Sequence, residues 1–314
     1  MDNRVICVVG PTATGKTKMG VALAKRFGGE VVSVDSMQIY RGMTIGTAAP
    51  TAEETEGIPH HMVAVADPAE SWSVARFTEQ ADRCIQDILC RGRRPVLVGG
   101  TGLYLDSILS GRTFAAGHIG GEVRRALQTE LAQGGIEPLY RQLQAIDPTA
   151  AARLHLSDEK RILRALEVFR ETGETITAHD ARTRLRPPKY RAYTIGLTFR
   201  DRADLYERID CRVDTMVAQG LLQEVEALLK SGLPETATAL QAIGYKQFLS
   251  VYRGDTPARD AVAEVKLRSR QYAKRQLTWL RRKEDIHWIL WEKTPDFPAG
   301  LQNATEYLLA QGLG

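Results

Sequence analysis

Gly10, Pro11, Thr12, Ala13, Thr14, Gly15, Lys16 and Thr17 spell G-P-T-A-T-G-K-T, a match to G-x-x-x-x-G-K-[ST]. Glycines at these positions let backbone N–H groups converge on phosphate oxygens, and a following helix would add the positive end of its dipole. Lys16 would reach the phosphates, and the Thr17 hydroxyl is suited to ligate Mg2+. A glycine turn without function is the bland alternative. The context speaks against it, because the apolar run Val5–Val9 precedes the loop and a helical pattern from about Lys16 to Phe27 follows. Most chains with this loop use ATP or GTP, and the loop alone does not name the reaction.

Two further segments carry chemistry. D-S-M-Q-I-Y, Asp35–Tyr40, follows the β-rich run Glu30–Val34. A carboxylate there could serve as a base or a metal ligand, or merely cap a helix. G-G-T-G-L-Y, Gly99–Tyr104, follows the run Pro95–Val98 and brings the Thr101 hydroxyl, although an ordinary strand-to-helix turn reads the same way. His60 and His61 are adjacent and would face opposite sides of an extended chain, which favours hydrogen bonding or packing over a shared metal. Arg208 and Arg212 share a helix face, as do several cations of Lys160–Arg164; solvated surface is the plain reading of both.

The elements that must position these residues alternate. Strands at Val5–Val9, Glu30–Val34, His61–Val65 and Pro95–Val98 are separated by helical stretches, including a helix start near Glu53–Glu54 and a helix over Ser73–Arg91. This alternation predicts an α/β fold with a doubly wound parallel sheet, and ligands in such sheets lie at the carboxyl ends of strands. Helical periodicity without β-branched clustering predicts a mostly helical insertion over residues 112–190. Residues 1–111 and 191–314 would form the core, with strands resuming at Tyr193–Phe199 and Ile286–Leu290.

Composition narrows the setting. The chain has 314 residues, of which 43% are hydrophobic, so it can bury a substantial core. No run approaches the ~18 apolar residues of a membrane span, and the expected setting is the cytoplasm. Cys7, Cys84, Cys90 and Cys211 show no disulfide or zinc spacing. The net charge of +4 is uneven: Arg259–Lys283 holds nine Lys/Arg and two acids, so that window carries +7 and the remainder about −3. Lys266, Arg270 and Lys274, and Arg268, Arg275 and Arg282, would form basic stripes suited to a polyanion, opposite Val262, Val265, Leu277 and Leu280.

In combination the motifs resemble the tRNA dimethylallyltransferase (tRNA isopentenyltransferase) family. Besides Gly10–Thr17, Asp35–Tyr40 and Pro95–Tyr104, the resemblance rests on Met43–Pro50, Gly57–Met62, Lys160–Val168, Ala242–Gln247 and Tyr272–Leu280, in order along nearly the whole chain. It departs at Thr14, where the family usually has Ser, at Met62–Ala64, which lack the family's usual acid, and at Thr113–Gly121.

The resemblance implies a P-loop NTPase-like core and transfer of a dimethylallyl group from dimethylallyl diphosphate to N6 of the adenosine 3′ of the anticodon, in tRNAs reading U-starting codons. The P-loop would then hold the leaving diphosphate with Mg2+ on Thr17. Asp35 would be the general base and Thr101 would hydrogen-bond near the bridging oxygen. Arg212, with Arg161 or Arg208, would add positive charge. The tRNA anticodon stem-loop would meet Asp35, Ser36, Met37 and Gln38, then Lys160, Arg161, Ile162, Leu163 and Arg164, then Ile243, Gly244 and Tyr245, and finally Lys274, Arg275 and Gln276. A monomer is expected. A small-molecule kinase, an adenylate isopentenyltransferase and an RNA-binding ATPase switch are the alternatives. The basic C-terminal stretch and the insertion argue against a free mononucleotide as acceptor.

Overall fold

The computed structural model describes residues 2–111, 121–184 and 187–313; most of the atypical stretch Thr113–Gly121 lies outside them. Six strands form one sheet: β1 Arg4–Val9, β2 Gly29–Val34, β3 His60–His61, β4 Arg94–Gly99, β5 Arg191–Phe199 and β6 Ile286–Trp291. Their order is β3-β2-β4-β1-β5-β6, and every pairing is parallel. The chain therefore reverses its winding direction at β1, which lies between β4 and β5. A parallel sheet must be covered on both faces, and β1 is apolar from Val5 to Val9 for that reason. Val5, Cys7 and Val9 belong to one core with Phe77, Ile85 and Ile88; Ile6 and Val8 belong to the other with Met19, Leu23 and Leu308.

The chain divides into two compact units, residues 1–109 with 190–314, and residues 110–189. The second is helical, with its own core of Leu127, Leu139, Leu143, Ile162, Leu163 and Leu166. The helix expected near Glu53 is Ala52–Thr55, closed by a capping box between Thr51 and Glu54. The extended run expected over His61–Val65 is shorter than the sequence suggests. The strand stops at His61, and Met62 and Ala64 take positive φ of 63° and 52° that no strand accommodates.

Candidate active site

Three loops leave the sheet at one level. Val9 pairs with Gly99, and Gly99 with Val34, so the segments beginning at Gly10, Asp35 and Gly100 emerge side by side at the carboxyl ends of β1, β2 and β4. This is where the reversal of winding opens a crevice. The P-loop enters it through Gly10, whose φ of 151° and whose 2.3 Å approach of a would-be Cβ to the Leu197 carbonyl leave room for no side chain. Ala13 takes a left-handed φ of 67°, and Gly15 caps the Lys16–Arg26 helix at φ 86°. Thr14 is buried, its hydroxyl donating to Pro11 O at 2.9 Å, and Trp291 Nε1 donates to Thr14 O at 3.0 Å from the end of β6.

Lys16 donates to Pro11 O at 2.7 Å. Burial drives its ammonium down to about 7, the Arg212 cation adds to that, and Asp35 opposes it. Burial also lowers Arg212, with Glu54 and Asp35 opposing. The P-loop, Asp35 and Arg212 thus share one field. Arg208 donates to Ala13 O at 3.4 Å, and with Arg212, Cys211, Lys293 and Gly15 it lines a cavity of about 540 Å³ beside the P-loop.

Asp35 does not begin a helix. Its Oδ1 accepts from Met37 N at 2.8 Å and Gln38 N at 3.3 Å, pinning a turn and leaving Oδ2 without a protein donor among the described residues. Thr101 precedes the Gly102–Ser110 helix, and its Oγ1 is buried with no hydrogen-bond partner among the described residues. Burial and then Asp35 push the neighbouring Tyr272 phenol up, while Thr101, Arg275 and Gln276 draw it down; still, Thr101 Oγ1 closes no bond of good geometry among the described residues. Burial raises Tyr104 to about 12, helped by Tyr40, Asp35 and Tyr272. Tyr104 and Tyr272 therefore both feel the Asp35 charge, and Thr101 brings an orphan hydroxyl beside Tyr272. Such an orphan polar atom is suited to a ligand.

Several expected RNA contacts are committed to the protein itself. Tyr245 is fully buried, and its hydroxyl donates to Glu224, which also binds the backbone amides of Thr44, Ile45 and Gly46. Ile162 and Leu163 are core residues, because the motif's apolar members face inward on the Glu159–Thr172 helix; Lys160 and Arg161 are exposed, and Arg164 pairs with Glu167 at 2.8 Å. Gln38 spends its amide on Ser33, Thr47 and Ala48. Gln276 is buried; its Oε1 accepts from Thr12 N at 3.2 Å, so that amide is turned away from any anion in the loop. Gly244, at φ 100°, opens the helix that carries Tyr245, and Ile243 beside it is half-buried. His61 meets Glu30 at 2.7 Å and His60 meets Ile58 O at 2.8 Å, so the pair shares no ligand.

The basic stripe occupies the helix Ala258–Leu280, with Val265 and Leu280 buried and Val262 and Leu277 partly so. Its cations are not equivalent. Lys266 pairs with Asp214, Arg270 with Asp210 and Arg268 with Glu264, at 2.6–2.7 Å. Lys274 and Arg275 are exposed and have no carboxylate partner among the described residues. With Gln271, Thr278, Trp279 and Arg282 they line a hollow of about 420 Å³.

Among the described residues no group of three or more His, Cys, Asp or Glu gathers as a metal cage. The donor suited to a metal at the P-loop is the Thr17 hydroxyl, in the first turn of the Lys16–Arg26 helix. It fits a hard cation that takes most of its oxygens from water and phosphate rather than from protein.

A parallel sheet with a phosphate loop at its switch point and a carboxylate at the next strand end defines a P-loop-type group transferase. The family model for IPP transferase matches residues 38–283, and that for isopentenyl transferase matches residues 3–64. The chain is 42% identical to the tRNA dimethylallyltransferase of Acetivibrio thermocellus, covering 100% of this chain and 99% of that one. It is 40% identical to the solved tRNA isopentenylpyrophosphate transferase of Bacillus halodurans, with a TM-score of 0.72 over 99% of this chain and 97% of that one. A eukaryotic dimethylallyltransferase, captured in crystals acting on tRNA, superposes with a TM-score of 0.82 at 30% identity, covering 98% of this chain and 78% of that one. The chain belongs to the tRNA dimethylallyltransferase family and is a prenyltransferase with the P-loop NTPase-like fold.

Proposed function

We propose that the chain moves the dimethylallyl group of dimethylallyl diphosphate onto N6 of the adenosine 3′ of the anticodon, in cytoplasmic tRNAs reading U-starting codons, and that it acts as a monomer. The reading is supported by the register of Val9, Val34 and Gly99, which brings side by side the strand ends that lead to Lys16, Asp35 and Thr101.

The allylic C1–O bond breaks as N6 attacks C1, and the bond's electron pair leaves on diphosphate. P-loop amides, Lys16 and Arg212 neutralise the charge that builds up there. Mg2+, held by the Thr17 hydroxyl and the diphosphate itself, would add Lewis-acid stabilisation of the leaving group. The Thr101 hydroxyl donates toward the bridging oxygen. An exocyclic amine is a poor nucleophile because its lone pair is delocalised into the ring, and Asp35 Oδ2 takes its proton as the new bond forms. The adenine must leave the anticodon stack to arrive there. Ser36 and Met37, on the turn pinned by Asp35, and Ile243 and Gly244 would border it. Lys274 and Arg275, and in the helical unit the exposed Lys160 and Arg161, would hold RNA phosphates.

The test is incubation with dimethylallyl diphosphate, Mg2+ and unmodified tRNA, followed by mass spectrometry of the nucleosides. Dimethylallyl-adenosine without added nucleotide is the expected product. Strict dependence on ATP would replace this reading with a kinase.

A further inference from the structure

Gln276 is a buried amide whose two ends are spent on two different loops. Its Oε1 accepts from Thr12 N in the P-loop at 3.2 Å, and its Nε2 donates to Gly100 O after β4 at 3.0 Å. It is 7% exposed, on the inward side of the Ala258–Leu280 helix, next to the exposed Lys274 and Arg275. The three segments are in contact: a Cβ at Gly100 would lie 2.2 Å from Gln276 Nε2 and 3.0 Å from Gly10 O.

We propose that Gln276 is a positioning residue, a clip that sets the phosphate-gripping loop against the loop carrying Thr101. The proposal rests on the donor-site reading above. Lys16 and Thr17 lie on one side of the clip, and Thr101 directly follows Gly100 on the other. These groups must meet different atoms of one leaving group, the phosphates and the bridging oxygen, so their separation is a catalytic quantity, and a displacement of about 1 Å can cost 10²-fold in rate. Glutamine is the residue the position requires. One end must accept and the other must donate. Leucine would leave Thr12 N–H and Gly100 C=O buried and unpaired, and a carboxylate would repel Gly100 O and the anion alike.

The experiment compares wild type with Gln276→Leu and Gln276→Glu. Single-turnover rates are measured at saturating donor and tRNA, binding of inorganic diphosphate by calorimetry without tRNA, and tRNA affinity over a salt series. Gln276→Leu should lose roughly 10- to 100-fold in rate and several-fold in diphosphate affinity, with tRNA affinity and salt slope unchanged. Gln276→Glu keeps the acceptor for Thr12 N, and its carboxyl, once protonated, can donate to Gly100 O. Its rate relative to wild type should therefore recover as pH falls, a response that loss of packing alone does not produce. A folded Gln276→Leu with wild-type rate and diphosphate affinity overturns the clip, as does a loss confined to tRNA affinity or a Gln276→Glu defect that ignores pH. A wild type that transfers the allyl group but binds no diphosphate also overturns it. One that does neither overturns the donor-site reading itself.

Discussion

Asp35 acts on Arg212 across the crevice. The carboxylate holds up the guanidinium that burial would depress, while the guanidinium depresses Lys16, which Asp35 partly restores. Lys16 and Arg212 are thus set against Asp35, with Glu54 also holding up Arg212, around the place assigned to a multiply charged leaving group.

The balance makes donor binding dependent on pH. With Lys16 brought down to about 7, the free protein carries a mixture of ammonium and amine near neutrality. A bound diphosphate favours the ammonium, so binding takes up a proton. Diphosphate affinity should weaken as pH rises above about 7, by at most tenfold per pH unit. Calorimetry in buffers of different ionisation enthalpy would register the uptake, and Lys16→Met should abolish it.

The same group makes a signed contribution to stability. Its pKa is lower folded than unfolded, so between about 7 and the ordinary lysine value the unfolded chain binds more protons. Stability from this group therefore rises with pH across that window, and the cost of the buried charge is full below it. Denaturant unfolding of wild type and Lys16→Met should differ most below pH 7, with the variant more stable, and converge toward pH 10.

Asp35→Asn separates base chemistry from architecture. An asparagine oxygen can still accept from the Met37 and Gln38 amides, so the turn survives. Single-turnover rates should drop by roughly 10²–10⁴ with tRNA affinity within a few-fold. Loss of folded protein with full specific activity in what remains would reduce Asp35 to a turn-former.

Cations of the Ala258–Leu280 helix should divide into two groups in a salt titration. Lys274→Ala and Arg275→Ala should each lower the slope of log affinity against log salt by about one. Lys266→Ala and Arg270→Ala should change it far less, because Asp214 and Asp210 already neutralise those side chains.

Tyr245→Phe should act on stability rather than on RNA. It removes a buried donor from Glu224, a bond to a charged acceptor, and should cost about 1–3 kcal/mol in chemical denaturation. Below the melting transition its tRNA affinity should equal that of wild type.

Legibility in the sequence followed locality. The P-loop, the helix start near Glu53–Glu54 and the strand runs other than the third are settled by residues within one turn or one strand, and they stand close to where their patterns put them. The same spacing that suggested a longer third strand could not register the left-handed Met62 and Ala64. Motif membership did not distinguish the inward Ile162, Leu163 and Tyr245 from their exposed neighbours, because burial depends on what packs over them. The neutralisation of Lys266 and Arg270 depends on Asp214 and Asp210, 52 and 60 residues away, and Gln276 acquires its role from loops 264 and 176 residues distant. Nothing along the chain marks those partners.

The parallel pairing of Arg4–Val9 with Arg191–Phe199 has a consequence during synthesis. At ribosomal speeds of ~5–20 residues per second, the central strand waits roughly 10–40 s for its second neighbour. During that interval a row of valines and isoleucine presents an open edge, the kind of template on which nascent chains associate wrongly. The helical unit encoded between the two strands has a core of its own and can fold in the meantime. Chaperone demand should accordingly peak before residue 199 emerges and fall once β5 docks.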